Sequence, residues 1–317
     1  MRRIGILGVI AALALGAVSC GKEKPHVAAS QKPATPVIGV SLLTLANPFF
    51  KVMGDAMQAE AKARGYEVVI TSADMDPARQ KDQVKDFISK KVAAIILCPA
   101  DSRSVGTSIQ EANQAGIPVF TADIACLDKS ARVVSHIATD NFAGGKLAAE
   151  AMIEAIGGKG KVAIIDHPEV ESVILRTNGF REVIGKVKDI SVVAQLPGGG
   201  MRDSAFKTAQ DILEKHPDLD GIFAINDPSA LGAVAAIEKA GRMGRVKVVG
   251  FDGQPEAKQA IKEGKMYATS MQYPDKIGKL SIESVAKYFA GEQVPSETLI
   301  PTGLYKKADA EQDPSLK

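Results

Sequence analysis

The sequence predicts an α/β fold of two similar lobes, each a parallel sheet flanked by helices. Three observations predict it. Short apolar runs alternate with amphipathic stretches across residues 37–290, the pattern of parallel strands joined by helical crossovers. The runs number about ten, too many for one comfortable sheet. The alternation restarts near Thr139-Asp140-Asn141 without a Pro/Gly-rich linker, which makes the halves similar and closely coupled.

In the first half, Val37, Ile38, Val40, Leu42 and Leu43 read as a strand buried on both faces. Asn47 suits an N-cap and Pro48 the first helical position. A helix over 48–64 follows, with Phe49, Val52, Met53, Ala56, Met57 and Ala63 as its stripe, and Gly65 ends it. Next come strand 66–71, helix 77–90, strand 93–98, helix 102–115, and strands 117–121 and 132–137. The second half gives helix 141–156, a turn at Gly157-Gly158-Lys159-Gly160, and strand 161–165. Helix 175–186, strand 190–196, helix 201–215, strand 221–225 and helix 228–240 follow. Strand 246–251, helix 255–263, strand 266–271 and helix 275–290 complete the pattern, leaving a short tail.

The N-terminus lies outside this alternation. Arg2 and Arg3 precede an apolar stretch over 4–18 that is too short to span a bilayer comfortably and reads as a signal peptide over 1–19. It ends in Ala17-Val18-Ser19-Cys20, which resembles the lipobox of bacterial lipoproteins, with Cys20 as the lipidated residue. An ordinary secretory signal is the alternative reading. Residues 20–36, rich in Lys, Ala, Ser and Pro, read as a flexible tether. Losing 1–19 removes Arg2 and Arg3 and leaves basic and acidic residues equal in number, so no basic stripe for nucleic acid remains. The composition, 45% hydrophobic and 24% charged, is that of an ordinary globular protein, and 317 residues suffice for two cores.

Several strands end in hydrogen-bonding side chains: Asn47, Asp101, Asp123, Asn226 and Asp252. In open α/β sheets, ligands bind at these carboxyl ends. Asp101, followed by Ser102 and Ser104, reads as an ordinary helix start. Asp252 in Gly250-Phe251-Asp252-Gly253 sits where glycines permit close backbone approach. Phe49 and Phe50 are either core residues or rings for an apolar ligand face. No enzyme constellation is framed. Asp166-His167 with Ser172 lacks a GxSxG elbow, and no HExxH or paired CxxC offers a metal site. The glycines at 157–160 follow a helix and lack the Walker pattern, so no phosphate or other cofactor is expected.

Taken together, 40–50, 134–141, Arg176 with Gly179-Phe180, Asn226-Asp227, 250–253 and Gln272 resemble the periplasmic sugar-binding proteins of ABC transporters, nearest to the ribose-binding branch. The likeness runs from Val37 to Lys306. It implies the type I periplasmic binding protein fold, with two Rossmann-like lobes, 37–139 plus 273–299 and 140–272 plus 300–317. Three hinge crossings would fall near 137–141, 271–274 and 299–302. The sugar contacts it implies are Asn47, Phe49, Phe50, Asp123, Arg176, Asn226, Asp252 and Gln272.

Three positions depart from that branch. Cys98 replaces an asparagine, Ile124 an arginine, and Gly198-Gly199-Gly200 an aromatic residue. The site is thereby opened to another pentose, a hexose or a sugar alcohol as readily as to ribose. The implied topology sets Cys98 and Cys126 after neighbouring strands, where a disulfide is an expectation and two separate thiols the alternative. The implied partners are a monosaccharide or polyol and a permease, with membrane contact only through the lipid. The implied protein is a monomer on the periplasmic or extracellular face of a bacterial membrane. A two-lobed sugar-responsive repressor would carry a helix-turn-helix where this chain has its signal. A receptor feeding a chemotaxis or sensor-kinase partner is the remaining alternative.

Overall fold

The computed structural model describes residues 35–316; the expected signal peptide, Cys20 and most of the tether lie outside them. The first half forms β1 (Val37–Leu42), α1 (Pro48–Ala63), β2 (Glu67–Ser72), α2 (Pro77–Ser89), β3 (Ala94–Leu97), α3 (Val105–Gln114), β4 (Val119–Ala122) and β5 (His136–Thr139). There follow α4 (Asn141–Ala155), β6 (Gly160–Asp166), α5 (Glu171–Ile184), β7 (Ile190–Pro197), α6 (Arg202–Lys215), β8 (Gly221–Ala224), α7 (Asp227–Lys239) and β9 (Lys247–Asp252). The remainder is α8 (Pro255–Lys262), β10 (Ala268–Met271), α9 (Pro274–Phe289), β11 (Glu297–Ile300), β12 (Leu304–Lys306) and α10 (Lys307–Gln312).

These elements build two six-stranded sheets, in the orders β11-β5-β4-β3-β1-β2 and β12-β10-β9-β8-β6-β7. All pairs are parallel except β10 with β12. Helices cover both faces, giving the two-lobed α/β architecture. The central strands β1, β3, β4, β8 and β9 are buried almost throughout, which is why they read as apolar runs and not as alternations. The chain passes between the sheets three times, at 139–141, 271–274 and 300–304.

Both sheets repeat one winding. Strand order reverses between β1 and β3 in the first and between β6 and β8 in the second. Such switch points leave a crevice beyond the carboxyl ends of the strands.

Local differences from the sequence reading have physical causes. Helix α3 starts at Val105 because Asp101 Oδ1 accepts from the Arg103 and Ser104 amides and holds 101–104 in a turn. That keeps Asp101 in a local structural role. Helix α5 starts at Glu171, four residues before the expected 175. The expected disulfide is corrected: Cys98 and Cys126 are free thiols. Cys98 packs in the core under α1 and α9, whereas Cys126 packs against the core under α2 and α3. The thiols therefore face opposite sides of the first sheet.

Candidate functional site

Asn47 caps α1 through its side-chain oxygen, which accepts from the Phe49 amide at 3.0 Å, and Pro48 fixes the first turn. This junction sets Phe49 and Phe50 at the mouth of β1, both about 4% exposed, their rings 5.1 Å apart and at 85°. The pair makes an apolar corner rather than one flat platform. Asp123 follows β4 and Asp252 ends β9. Both adopt positive φ, 66° and 120°, a backbone arrangement that non-glycine residues hold where surrounding structure imposes it.

Arg176 projects from α5 and is buried. Its Nε donates to Asn141 Oδ1 at 2.8 Å and its Nη1 to the Ile225 carbonyl at 2.9 Å. The guanidinium lies over Phe251 at 4.0 Å and 3.6 Å from Asp252 Oδ1. Helices α4 and α5 must approach closely for this. A Cβ at Gly145 would meet the Arg176 carbonyl oxygen at 2.1 Å, and one at Gly179 would meet that of Phe142 at 2.2 Å. Asn226 caps α7 by accepting from the Ser229 amide and donates Nδ2 to the Gly200 carbonyl.

These groups surround one small cavity between the two sheets. It is lined by Asn47, Phe49, Phe50, Asp123, Arg176, Asn226 and Asp252 from the expected set. Gln272 stands behind it, donating Nε2 to Asp252 Oδ1 at 2.7 Å. Ile124 also lines the cavity, while Cys98 is fully buried beside Asp123. Burial pushes the Cys98 thiol well up, with Asp123 adding to the effect, so the thiol stays protonated.

Electrostatics inside are dominated by desolvation. Burial raises the Asp123 carboxyl to about 7, with Arg176 opposing and Asp252 and Glu171 adding to the rise. Burial also raises Asp252 against the pull of Arg176. Asp227, behind them, is raised well above the usual range by burial and by Asp252. It accepts from Thr269 Oγ1 and the Gln254 amide, each at 2.7 Å.

Several of these residues escape sequence reasoning. Gln254 bridges the lobes, donating Nε2 to Asn47 Oδ1 at 2.9 Å and to Asp252 Oδ2 at 3.0 Å. Its only signal is its place directly after Gly250-Phe251-Asp252-Gly253. Asp227 shows in the sequence only as part of the Asn226-Asp227 pair, with no sign of its contacts to Thr269 and Gln254. Ser102 makes a second bridge, donating its amide to the Glu169 carbonyl and accepting from the Glu171 amide at 2.9 Å. With both bridges made, the cleft is closed.

No triad forms from Asp166, His167 and Ser172. The Asp166 carboxylate accepts from Gln195, and His167 Nε2 lies 3.4 Å from Glu169. Among the described residues no cluster of His, Cys, Asp and Glu could hold a metal ion, and no helix is long and apolar enough to cross a membrane.

The periplasmic binding protein domain pattern matches residues 38–293. The chain belongs to that family. This periplasmic binding protein is 37% identical over 268 residues to the ribose import binding protein of Salmonella typhimurium, covering 83% of this chain and 88% of that one. It is 31% identical to a xylitol-binding protein of Mycolicibacterium smegmatis over 85% of this chain and 76% of the relative. Its fold matches that of a solute-binding protein from Actinobacillus succinogenes solved with D-allose, with a TM-score of 0.82 and 33% identity. That match covers 88% of this chain and all of the other. Like these relatives, this family member is a binding protein and not an enzyme.

Proposed function

We propose that the protein is an extracytoplasmic solute-binding lipoprotein. It captures a monosaccharide or sugar alcohol between its lobes and delivers it to an ABC transporter permease. The lobes are 37–139 plus 273–299 and 140–272 plus 300–317, Cys20 carries the lipid, and the protein works as a monomer on the outer side of a bacterial membrane. One observation carries the ligand class: an apolar corner of two phenylalanines, in the same lobe as the buried Asp123 carboxyl, faces the buried Asp252 and Arg176 across a closed cleft. Rings cover C–H surface while carboxylates accept from hydroxyls. Relatives whose names specify ribose and xylitol, and a neighbour solved with allose, support the same class.

The energetics suffice. A micromolar dissociation constant needs about 8 kcal/mol net, and hydrogen bonds to charged groups contribute roughly 1.5–3 kcal/mol each. A ligand touching both lobes favours the closed state over the open one, so binding and closure are one event.

The test is a thermal-shift panel of pentoses, hexoses and polyols; silence across the panel removes this ligand class. Asp252→Asn is the site variant. Alanine there would strand Arg176, Gln254 and Gln272, whereas asparagine keeps an acceptor of similar shape. The expected loss is about 2 kcal/mol, roughly thirtyfold in affinity, with the fold retained. Unchanged affinity by calorimetry would take Asp252 out of the site.

A further inference from the structure

The polar groups around the cleft are unevenly matched. Asp123 and Asp252 both line the cavity, and Arg176 is the strong cation facing them. Arg176 lies against Asp252, at 3.6 Å. Among the described residues no cation stands within ion-pair distance of Asp123, and its Oδ1 is buried without a hydrogen-bond partner. Arg176 favours an ionised Asp123, but only from beyond ion-pair distance. Glu171 and Asp252 repel a charge at Asp123, the Cys98 thiol is neutral, and Ile124 is apolar. His167, across the cavity, is held towards its neutral form by burial.

Several of the donors near the cavity are already engaged within the protein. Arg176 serves Asn141 and Ile225, Asn226 serves Gly200, Gln272 serves Asp252, and Gln254 serves Asn47 and Asp252. Two of the buried atoms left without partners, Asp123 Oδ1 and Gln272 Oε1, only accept when the carboxyl is ionised. A hydroxyl supplies one donor but brings acceptor lone pairs of its own. An ammonium supplies three donors, no acceptor and the missing charge. A buried carboxylate is costly when left alone and tolerated when paired.

We propose that the ligand carries a protonated amine seated against Asp123, making it an amino sugar or amino polyol rather than the neutral parent. This rests on the sugar-site reading above and narrows it.

Matched pairs test it at neutral pH by calorimetry and thermal shift. The pairs are glucosamine with glucose, galactosamine with galactose, mannosamine with mannose, and glucamine with sorbitol. The N-acetyl amino sugars serve as uncharged controls. In at least one pair the amine should bind about tenfold tighter or more, and N-acetylation should abolish that preference. Asp123→Asn should bring the amine-to-parent ratio close to one. Neutral parents that bind as tightly as their amines throughout overturn the inference and leave the sugar reading standing. A preference that survives Asp123→Asn overturns the assignment to Asp123. No response to any member, neutral or charged, overturns both readings. The wild-type comparison needs no variant, so a misfolded Asp123→Asn protein does not blunt the test.

Discussion

Asp123 couples closure to pH. The closed cavity raises its carboxyl to about 7, and an opening that exposed it to water would return it towards the ordinary 3.8. Closing without ligand therefore takes up a proton. The sign follows: closure carries no Asp123 penalty below 3.8, a growing one as pH rises, and the full penalty above about 7. Asp252 and Glu171 act in the same direction, while His167, lowered by burial, acts in the opposite one. The wild type should lose closed population across this window relative to Asp123→Asn, measured by interlobe fluorescence transfer on ligand-free protein. Equal pH profiles would remove Asp123 from the coupling. Residues of this kind were legible because aspartate and asparagine at strand ends announce themselves by chemistry and place. Gln254 was not, since its role depends on meeting Asn47 from 207 residues away. Cys98 and Cys126 show another limit. Strand adjacency gives their spacing but not which face of the sheet each thiol occupies.

Helix α5 carries a cap from outside its own segment. Val170 precedes it with no capping side chain, and the Ser102 hydroxyl of the β3–α3 loop accepts from its first amide. The sequence around 170 thus lacks the usual start signal, and the apolar pattern alone starts the helix four residues late. The same contact exists only when the lobes meet. Ser102→Ala should cost about 1 kcal/mol in the closed state, roughly a fivefold weaker ligand. The melting temperature of the ligand-free protein should hardly move. A large fall in that temperature with affinity preserved would show Ser102 to be a general fold residue instead. Within α5, Gly179→Ala should destabilise by about 1–3 kcal/mol, because the added carbon meets the Phe142 carbonyl oxygen and separates the helices that set Arg176. Chemical denaturation of the variant measures it. Long helices were legible from periodicity and buried strands from short apolar runs. Strands β11 and β12, of four and three residues, are only partly buried and carry neither signal.

At the scale of the molecule, two sheets of identical winding bring their switch points face to face, so the cleft follows from topology as much as from any residue. The repeated strand–helix alternation made that architecture legible. The crossing at 300–304 was legible only by resemblance, because Pro301 and Gly303 mark a break in the strand but not a change of sheet. Neither sheet is continuous in sequence. Helix α9, which packs on α1, and β11, which pairs with β5, both come after the whole run from β6 to β10. A chain ended at residue 273 should therefore fail to give a cooperative melt, although it retains ten strands. A sharp transition by circular dichroism would contradict this. The same arrangement imposes an order in time. During synthesis the first sheet is begun first but completed only when residue 300 has emerged, with nearly all of the second already made. The first sheet therefore lacks its edge strand, and α1 its partner α9, through the whole time in which β6 to β10 are made.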